Sequence, residues 1–189
     1  TAYYLTEIDN KTVYFINLTV GGTSMAETGT TTSHWTPFFD RLANTDTSLL
    51  RNLEDRTRKA LEVLSSEFEI LGIIGHQGEG DKDALSAAKY YQNLRSFIAY
   101  LRGVVGNPYL PFVSGTIPHL SSSYNAEVEK AQLDVMAEDF YTHYVNLSTG
   151  TMFDGLHFDA ATSEAFGLAV YNKLKEYWAQ LALRKLYNN

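Results

Sequence analysis

The sequence predicts a three-layer α/β/α sandwich built on a mainly parallel sheet. Short apolar runs alternate along the chain with longer segments of helical periodicity, which is the element order that parallel sheets require. The chain has 189 residues, the size of one globular domain. We find no internal repeat or low-complexity linker, so residues 1–189 are expected to form a single domain.

Four apolar or β-branched runs are expected to be strands, each closed by glycine or polar residues. The first run reads KTVYFINLTV and ends at two glycines, which indicates a buried strand. The third run contains Pro111. Because proline is tolerated at the start of a strand, the first residues of this run are expected to lie where the strand begins. The four runs are residues 11–20, 70–74, 109–116 and 142–147.

Helices are predicted between and after these runs, because apolar side chains recur there at helical spacing. Asp81 is expected to be the N-cap of the second helix, since aspartate accepts hydrogen bonds from free N–H groups at a helix start. The predicted helices are residues 48–68, 81–105, 125–140 and 160–187.

Composition excludes several function classes. The net charge of −7 and pI near 5.2 disfavour nucleic acid, whose binding depends on lysine and arginine at phosphates. No run of about 18 apolar residues is present, so no membrane span is expected. The absence of cysteine excludes disulfides, thiolate metal sites and a cysteine nucleophile. Many secreted microbial and viral enzymes lack disulfides too, so the cysteine content leaves the compartment open; an extracellular or virion-associated location is favoured over a cytoplasmic one.

Asp154 and His157 are the strongest candidates for catalysis. They lie three residues apart just before the last predicted helix, so little backbone freedom separates them. A serine hydrolase needs a histidine to take and return a proton, and a carboxylate to orient it and stabilise the imidazolium. Taken alone, Asp154 could also be a helix N-cap.

Two upstream loops carry further candidates. Gly21 and Gly22 follow the first run, where glycine lets the backbone N–H approach a ligand as an oxyanion donor, although a plain turn is the alternative. Gln77 follows the second run and could supply a second donor. His76 and Glu79 flank it, and with Asp81 they could ligate a metal, but this short loop offers too few ligands. We therefore expect no metal and no cofactor.

These loops are expected to meet in space. In a parallel sheet, ligands bind beyond the carboxyl ends of the strands. The loops in question follow residues 20, 74, 116 and 147, and three of the four lead into the clusters just described. Their coincidence at one edge of the sheet is stronger evidence for a site than any single motif.

Three ordered sequence blocks resemble the SGNH hydrolases, and more narrowly the carbohydrate acetylesterases that include sialate O-acetylesterases and one group of acetylxylan esterases. The blocks are Gly-Gly-Thr at 21–23 with a later Trp-Thr-Pro at 35–37, then His-Gln-Gly-Glu-Gly-Asp at 76–81, and Asp-x-x-His-Phe-Asp at 154–159. The resemblance runs from about residue 12 to about residue 172. It implies an SGNH/flavodoxin-like fold, with Asp154 and His157 as the acid and base of a triad.

The resemblance also implies removal of O-acetyl groups from an acetylated carbohydrate, with the Gly22 N–H and the Gln77 side chain as oxyanion donors. Trp35, Phe38 and Tyr124 could stack on sugar rings or pack in the core. The remaining histidines have no recognisable partner pattern and are expected to be surface or packing residues; they are His34, His119 and His143.

The chain departs from the family in two blocks. In the family, the nucleophile lies in a Gly-Gln-Ser-Asn-like block before Gly-Gly-Thr, and this sequence contains no such block. In the His-Gln-Gly-Glu-Gly-Asp block, Gly80 stands where the family has serine. We therefore expect the nucleophile and the first strand to come from an upstream polypeptide segment, a partner of this chain. Two alternatives stay open: Ser24 is itself the nucleophile, or the fold is an inactive carbohydrate-binding or structural module.

Overall fold

A computed structural model describes residues 1–10, 12–64 and 68–187 of the chain. Besides one π-helical turn at Tyr4–Ile8 and two 3₁₀ turns at Phe39–Arg41 and Glu79–Asp81, the described residues form five short strands and four α-helices. These are β1 Ser33–His34, β2 Thr47–Ser48, α1 Leu49–Val63, β3 Ile73–Ile74, α2 Ala84–Val104, β4 Phe112–Gly115, α3 Ala126–Glu138, β5 Thr142–Val145 and α4 Ala160–Tyr187.

The central sheet is parallel and has the order β3-β4-β5 among the described residues. Ile73 pairs with Phe112, and Val113 pairs with His143. A second, two-stranded parallel sheet joins β1 to β2. Parallel neighbours need a crossover connection, and α2 and α3 supply those of the central sheet.

Helices cover both faces of the central sheet. Successive residues of a strand point to opposite faces, and on β4 Phe112 packs into the core with α1, α2 and α3, whereas Val113 packs against α4. On β5, Tyr144 faces the first core and Val145 the second. This is the three-layer α/β/α architecture that the sequence predicts, and the prediction of fold class is confirmed.

Side-chain caps set the beginnings of the helices. Asn125 accepts hydrogen bonds from the N–H groups of Glu127 and Val128 at the start of α3. The cap of α2 is Asp83, which accepts from Leu85 and Ser86. The prediction that Asp81 caps this helix is therefore wrong, because its buried carboxylate bonds elsewhere in the fold.

The predicted first strand is also wrong over residues 12–20; Lys11 lies outside the described residues. This segment has no strand pairing, and its large side chains Tyr14 and Phe15 are 69% and 55% exposed. β-branched and aromatic residues favour a strand only where a neighbouring strand offers hydrogen bonds and a packing surface. The segment has no such neighbour among the described residues.

The other predicted elements are present with shorter ends. Strands begin and end where ladder hydrogen bonds do, so β3 keeps only Ile73–Ile74 of the run 70–74. The first helix ends at Val63, and residues 65–67 of its predicted span lie outside the described residues. The predicted helix 160–187 agrees with α4. Within the described residues, no helix is long and apolar enough to cross a membrane.

Candidate active site

Asp154 and His157 form a hydrogen-bonded pair on the loop between β5 and α4. His157 Nδ1 lies 2.7 Å from Asp154 Oδ2, and the other carboxylate oxygen accepts the backbone N–H groups of Leu156 and His157. Gly155 has φ +75°, a conformation that favours glycine and lets the loop turn between the two side chains. The loop therefore fixes the imidazole against the carboxylate, as the sequence spacing predicts.

The carboxylate of this pair is strongly stabilised in its charged form. The backbone N–H of His157, together with its side chain and the N–H of Leu156, lowers the pKa of Asp154 to about 2. Asp154 is therefore ionised across the whole neutral range. The His157 side chain is 72% exposed, and its Nε2 has no hydrogen-bond partner among the described residues. The pair can accept a proton from a group approaching from solvent.

His76 and Glu79 form a second pair beside it. His76 Nδ1 lies 3.0 Å from Glu79 Oε1, and the His76 ring packs edge-on against Phe158, the residue after His157. Burial alone would raise the pKa of Glu79, but the His76 hydrogen bond and the nearby charges of His76 and His157 lower it overall. The loop after β3 and the loop before α4 thus meet, as predicted for the carboxyl edge of the sheet.

A buried carboxylate joins the loop after residue 20 to this edge. Asp81 is fully buried, and it accepts the backbone N–H of Met25 at 2.6 Å and that of Ala26 at 2.9 Å. Burial raises the pKa of Asp81, and the hydrogen bonds that it accepts offset only part of the rise. Asp81 therefore anchors residues 21–26 rather than binding a substrate.

Gln77 belongs to the same anchor. Its Nε2 donates to Asp81 Oδ2 at 2.6 Å and to the Thr23 carbonyl at 3.3 Å, which uses both amide hydrogens. Its Oε1 is buried without a partner among the described residues. Gln77 would have to release one of these bonds to donate to an oxyanion, and that role stays a prediction.

Glycines allow the two loops to approach each other. A Cβ at Gly80 would collide with the Thr23 carbonyl oxygen, so the chain has room only for glycine at this position of the His-Gln-Gly-Glu-Gly-Asp block. Gly22 has φ +68° and is exposed, while Gly21 has open space around it. Gly21 and Gly22 therefore form an exposed turn, a position from which a backbone N–H can face a ligand.

Ser24 lies inside the fold. Its side chain is fully buried, and Oγ lies 2.8 Å from His34 Nδ1 and 2.8 Å from the Ala26 carbonyl. His34 Nε2 lies 3.7 Å from Asp46 Oδ2. Gly29 closes over the hydroxyl so tightly that a Cβ there would overlap Ser24 Oγ. The arrangement resembles a triad in composition, but the serine hydroxyl is buried and covered by Gly29.

Local sequence patterns did not predict the roles of Asp81 and His34. The sequence around Asp81 is typical of a helix cap, but its carboxylate bonds to Ala26 and Met25, which lie 55 and 56 residues away. The partners of His34 are not its neighbours in sequence. Its ring contacts Ser24, and the pairing of β1 with β2 brings it close to Asp46. Only the family block that contains Asp81 could have drawn attention to it.

The aromatic candidates separate into core and surface. Trp35 is buried, donates Nε1–H to Thr23 Oγ1 at 3.0 Å and packs edge-on against Phe97. Phe38 lies under the guanidinium of Arg41. Tyr124 is partly exposed next to His119, on the loop after β4. Among the described residues, no cluster of three His, Asp or Glu side chains is arranged to hold a metal ion.

The parallel α/β/α sandwich places the chain in the SGNH/flavodoxin-like fold class, with its candidate pair beyond the carboxyl ends of the strands. The chain belongs to the family described as carbohydrate esterase, sialic acid-specific acetylesterase, whose model matches residues 3–176. This confirms the resemblance drawn from the three sequence blocks. No curated protein sequence matches the chain significantly.

Solved structures that are similar to this chain include the following two. One is the X-ray structure of an Arabidopsis thaliana protein, with 24% identity, TM-score 0.58 and coverage of 70% of this chain and 53% of that protein. The other is a carbohydrate acetylesterase from Xanthomonas citri, with 21% identity, TM-score 0.43 and coverage of 53% and 24%. The chain thus spans about half of the Arabidopsis protein. That likeness supports the fold.

Proposed function

We propose that this chain carries the acid–base pair of a serine esterase that removes O-acetyl groups from carbohydrates. The observation that carries the proposal is the Asp154–His157 pair, whose imidazole is held at Nδ1 by a carboxylate 2.7 Å away while the ring stays open to solvent. Such a histidine can take a proton at Nε2 and return it. Membership in a carbohydrate esterase family supports the same chemistry.

In the proposed reaction, a serine oxygen attacks the acetyl carbonyl carbon and His157 takes the serine proton. The tetrahedral intermediate then breaks its bond to the sugar oxygen, which leaves with the proton from His157. Water, deprotonated by His157, attacks the acetyl-enzyme and releases acetate and the free serine. Asp154 stays ionised throughout and stabilises the imidazolium.

The nucleophile is proposed to come from an upstream polypeptide segment. Among the described residues, no hydroxyl lies within hydrogen-bond distance of His157 Nε2. In the described part of the chain, β3 is an edge strand, and its Ile74 is 42% exposed. An unpaired edge with exposed apolar residues is a template for another strand.

Residues 12–20 support the same proposal. They expose apolar side chains although their composition favours a strand, and Leu18 alone packs against the main core. A strand inserted between this segment and β3 would give hydrogen-bond partners to both. Its carboxyl end would then lie beside the loops that hold Gly22, Gln77 and His157, where a nucleophile is needed.

The oxyanion donors remain those of the family pattern. The exposed turn at Gly22 supports a backbone donor, and Gly21 leaves space for the substrate beside it. Gln77 lies one hydrogen bond from this turn, through the Thr23 carbonyl. His76, which is held by Glu79, packs against Phe158, the residue after His157, and so supports the His157 loop.

The buried position of Ser24 argues against its being the nucleophile. Its hydroxyl is committed to His34 and the Ala26 carbonyl, and Gly29 covers it. An acetyl carbonyl could reach Oγ only after this part of the fold had opened. The histidine beside it, His34, is itself 1% exposed and has no route to a leaving sugar hydroxyl.

Hydrolysis of p-nitrophenyl acetate tests the proposal. We expect turnover when the chain is expressed together with the polypeptide encoded immediately upstream, and its loss in His157→Ala. His143→Gln, on β5, is the control and should leave turnover unchanged. If the combined protein shows neither turnover nor labelling by a fluorophosphonate, the chain is an inactive binding or structural module instead.

A further inference from the structure

A second histidine–carboxylate cluster lies on the loop after β4 and at the start of α3. His119 Nε2 lies 3.1 Å from Glu129 Oε1, and the Tyr124 hydroxyl donates to Glu129 Oε2 at 2.9 Å. The His119 and Tyr124 rings are in contact, with centroids 4.4 Å apart. Three side chains of different chemistry are thus held together beside the start of α3.

This cluster is tied directly to the catalytic loop. The backbone N–H of Ser122 donates to the Gly155 carbonyl at 2.9 Å, and Gly155 lies between Asp154 and His157. The N–H of His119 donates to the Ser148 carbonyl at 3.1 Å. The loop after β4 and the loop that carries His157 therefore lie side by side and form one surface.

The same surface exposes apolar side chains. Leu120 is 69% exposed, Phe153 is 81% exposed, and Leu156 is 42% exposed. A sugar ring presents apolar C–H faces and polar hydroxyl edges, so aromatic and aliphatic side chains next to a carboxylate suit it. The tyrosine ring can contact a C–H face while Glu129 and His119 bond to hydroxyls.

Carboxylates outnumber lysine and arginine in the loops at this edge, where Lys82 lies among Glu79, Asp81 and Asp83. Glu79, Asp154, Asp159 and Glu129 lie around the site, and among the described residues no lysine or arginine bonds to any of them. Their partners are histidines and hydroxyl or backbone groups. A carboxylated sugar would bring a further negative charge into this field, whereas an uncharged sugar would not.

We propose that His119, Tyr124 and Glu129 form a specificity-determining sugar subsite next to His157, and that the sugar it accepts is uncharged. This inference rests on the proposed esterase function for its catalytic consequence, but the binding that it asserts does not require turnover. The uncharged sugar proposed for this chain differs from sialic acid, the acidic sugar named in the family's description.

Two substrates and two variants test the subsite. The chain with its upstream polypeptide is assayed on mono-O-acetylated xylobiose, which is uncharged, and on p-nitrophenyl acetate, which has no sugar. Tyr124→Ala is expected to lower kcat/KM about tenfold more on the sugar ester than on p-nitrophenyl acetate. Tyr124→Phe keeps the ring and should lose less. Tyr109→Ala, an exposed tyrosine before β4, is the matched control.

The charge preference has its own test. We expect kcat/KM on acetylated xylobiose to exceed that on 9-O-acetyl-N-acetylneuraminic acid at least about tenfold at low salt, and the ratio to shrink as salt screens the carboxylates. Preference for the sialic acid ester, or a ratio that salt does not change, would overturn the inference that the sugar is uncharged.

Binding measured by NMR distinguishes the two proposals. If p-nitrophenyl acetate is not hydrolysed but Tyr124→Ala weakens xylobiose binding while Tyr109→Ala does not, the esterase proposal fails and the subsite stands. If both esters are hydrolysed and Tyr124→Ala and His119→Ala change neither kcat/KM nor xylobiose binding, the subsite is wrong and the esterase stands.

Discussion

The Asp81 carboxylate accepts the backbone N–H of Met25 at 2.6 Å across 56 residues of sequence. This bond, with those from Ala26 and Gln77, joins the glycine turn to the loop after β3. A buried carboxylate that satisfies two backbone donors and an amide is difficult to replace. The relative position of the turn and the His76–Gln77 loop therefore depends on one side chain.

Loss of this carboxylate should destabilise the fold. Asp81→Ala leaves two backbone N–H groups and the Gln77 amide without an acceptor, and we expect the free energy of unfolding to fall by about 3 kcal/mol. Urea unfolding measures it. Asp83→Ala removes only the cap of α2 and should cost about 1 kcal/mol. Equal losses in the two variants would contradict the anchoring role.

Gly80 should tolerate no side chain. Gly80→Ala places a Cβ against the Thr23 carbonyl, and because backbone must move, we expect a loss of about 1–3 kcal/mol in denaturant unfolding. Gly103 lies in α2 with open space around it, so Gly103→Ala should be neutral or stabilising by up to about 1 kcal/mol. A stable Gly80→Ala variant would show that the two loops are farther apart.

Asp154 should titrate far below an ordinary aspartate. Its pKa is lowered from 3.8 to about 2, so its bonds stabilise the loop above pH 3.8 and are lost as the pH falls through 2. A ¹³C carboxyl titration by NMR should give a midpoint near 2. Asp154 would then make no contribution to a pH–rate profile above about pH 3.8. A midpoint near 4 would mean that the Asp154–His157 bonds are absent in solution.

Removing the Asp154 charge should reduce catalysis more than binding. In Asp154→Asn the imidazolium of His157 is no longer stabilised by a negative charge, and the neutral ring is no longer held in the required tautomer. We therefore expect kcat on p-nitrophenyl acetate to fall by a factor on the order of 10²–10⁴, with KM little changed. Asp159→Asn is the comparison, because Asp159 bonds to Thr151 and the Thr162 N–H rather than to His157. An equal loss in both variants would mean that the acidic surface as a whole, rather than the pair, is responsible.

Ser24 should be dispensable for turnover. Removing a triad nucleophile lowers kcat by about 10⁶-fold, whereas Ser24→Ala removes a buried hydrogen bond and should keep kcat within about tenfold of wild type. Its effect should appear in thermal unfolding instead, because His34 loses a partner. A loss of several orders of magnitude in kcat would make Ser24 the nucleophile.

The features that were predicted correctly from the sequence are those that depend on residues close together in the chain. The helices α2, α3 and α4 follow from apolar periodicity and the Asp154–His157 pair from its spacing, since both depend on residues within one or two turns. Residues 12–20 have the composition of a strand, but a strand exists only with a neighbour. Asp81 and His34 act on partners brought near by the fold, which no local pattern encodes.

The position of the nucleophile tests the central claim most directly. The native protein, expressed with the polypeptide encoded immediately upstream of this chain, is labelled with a fluorophosphonate, digested, and mapped by mass spectrometry. We predict one labelled serine on a peptide outside residues 1–189, with labelling abolished in His157→Ala. A label on Ser24 or any other serine of this chain would contradict the account.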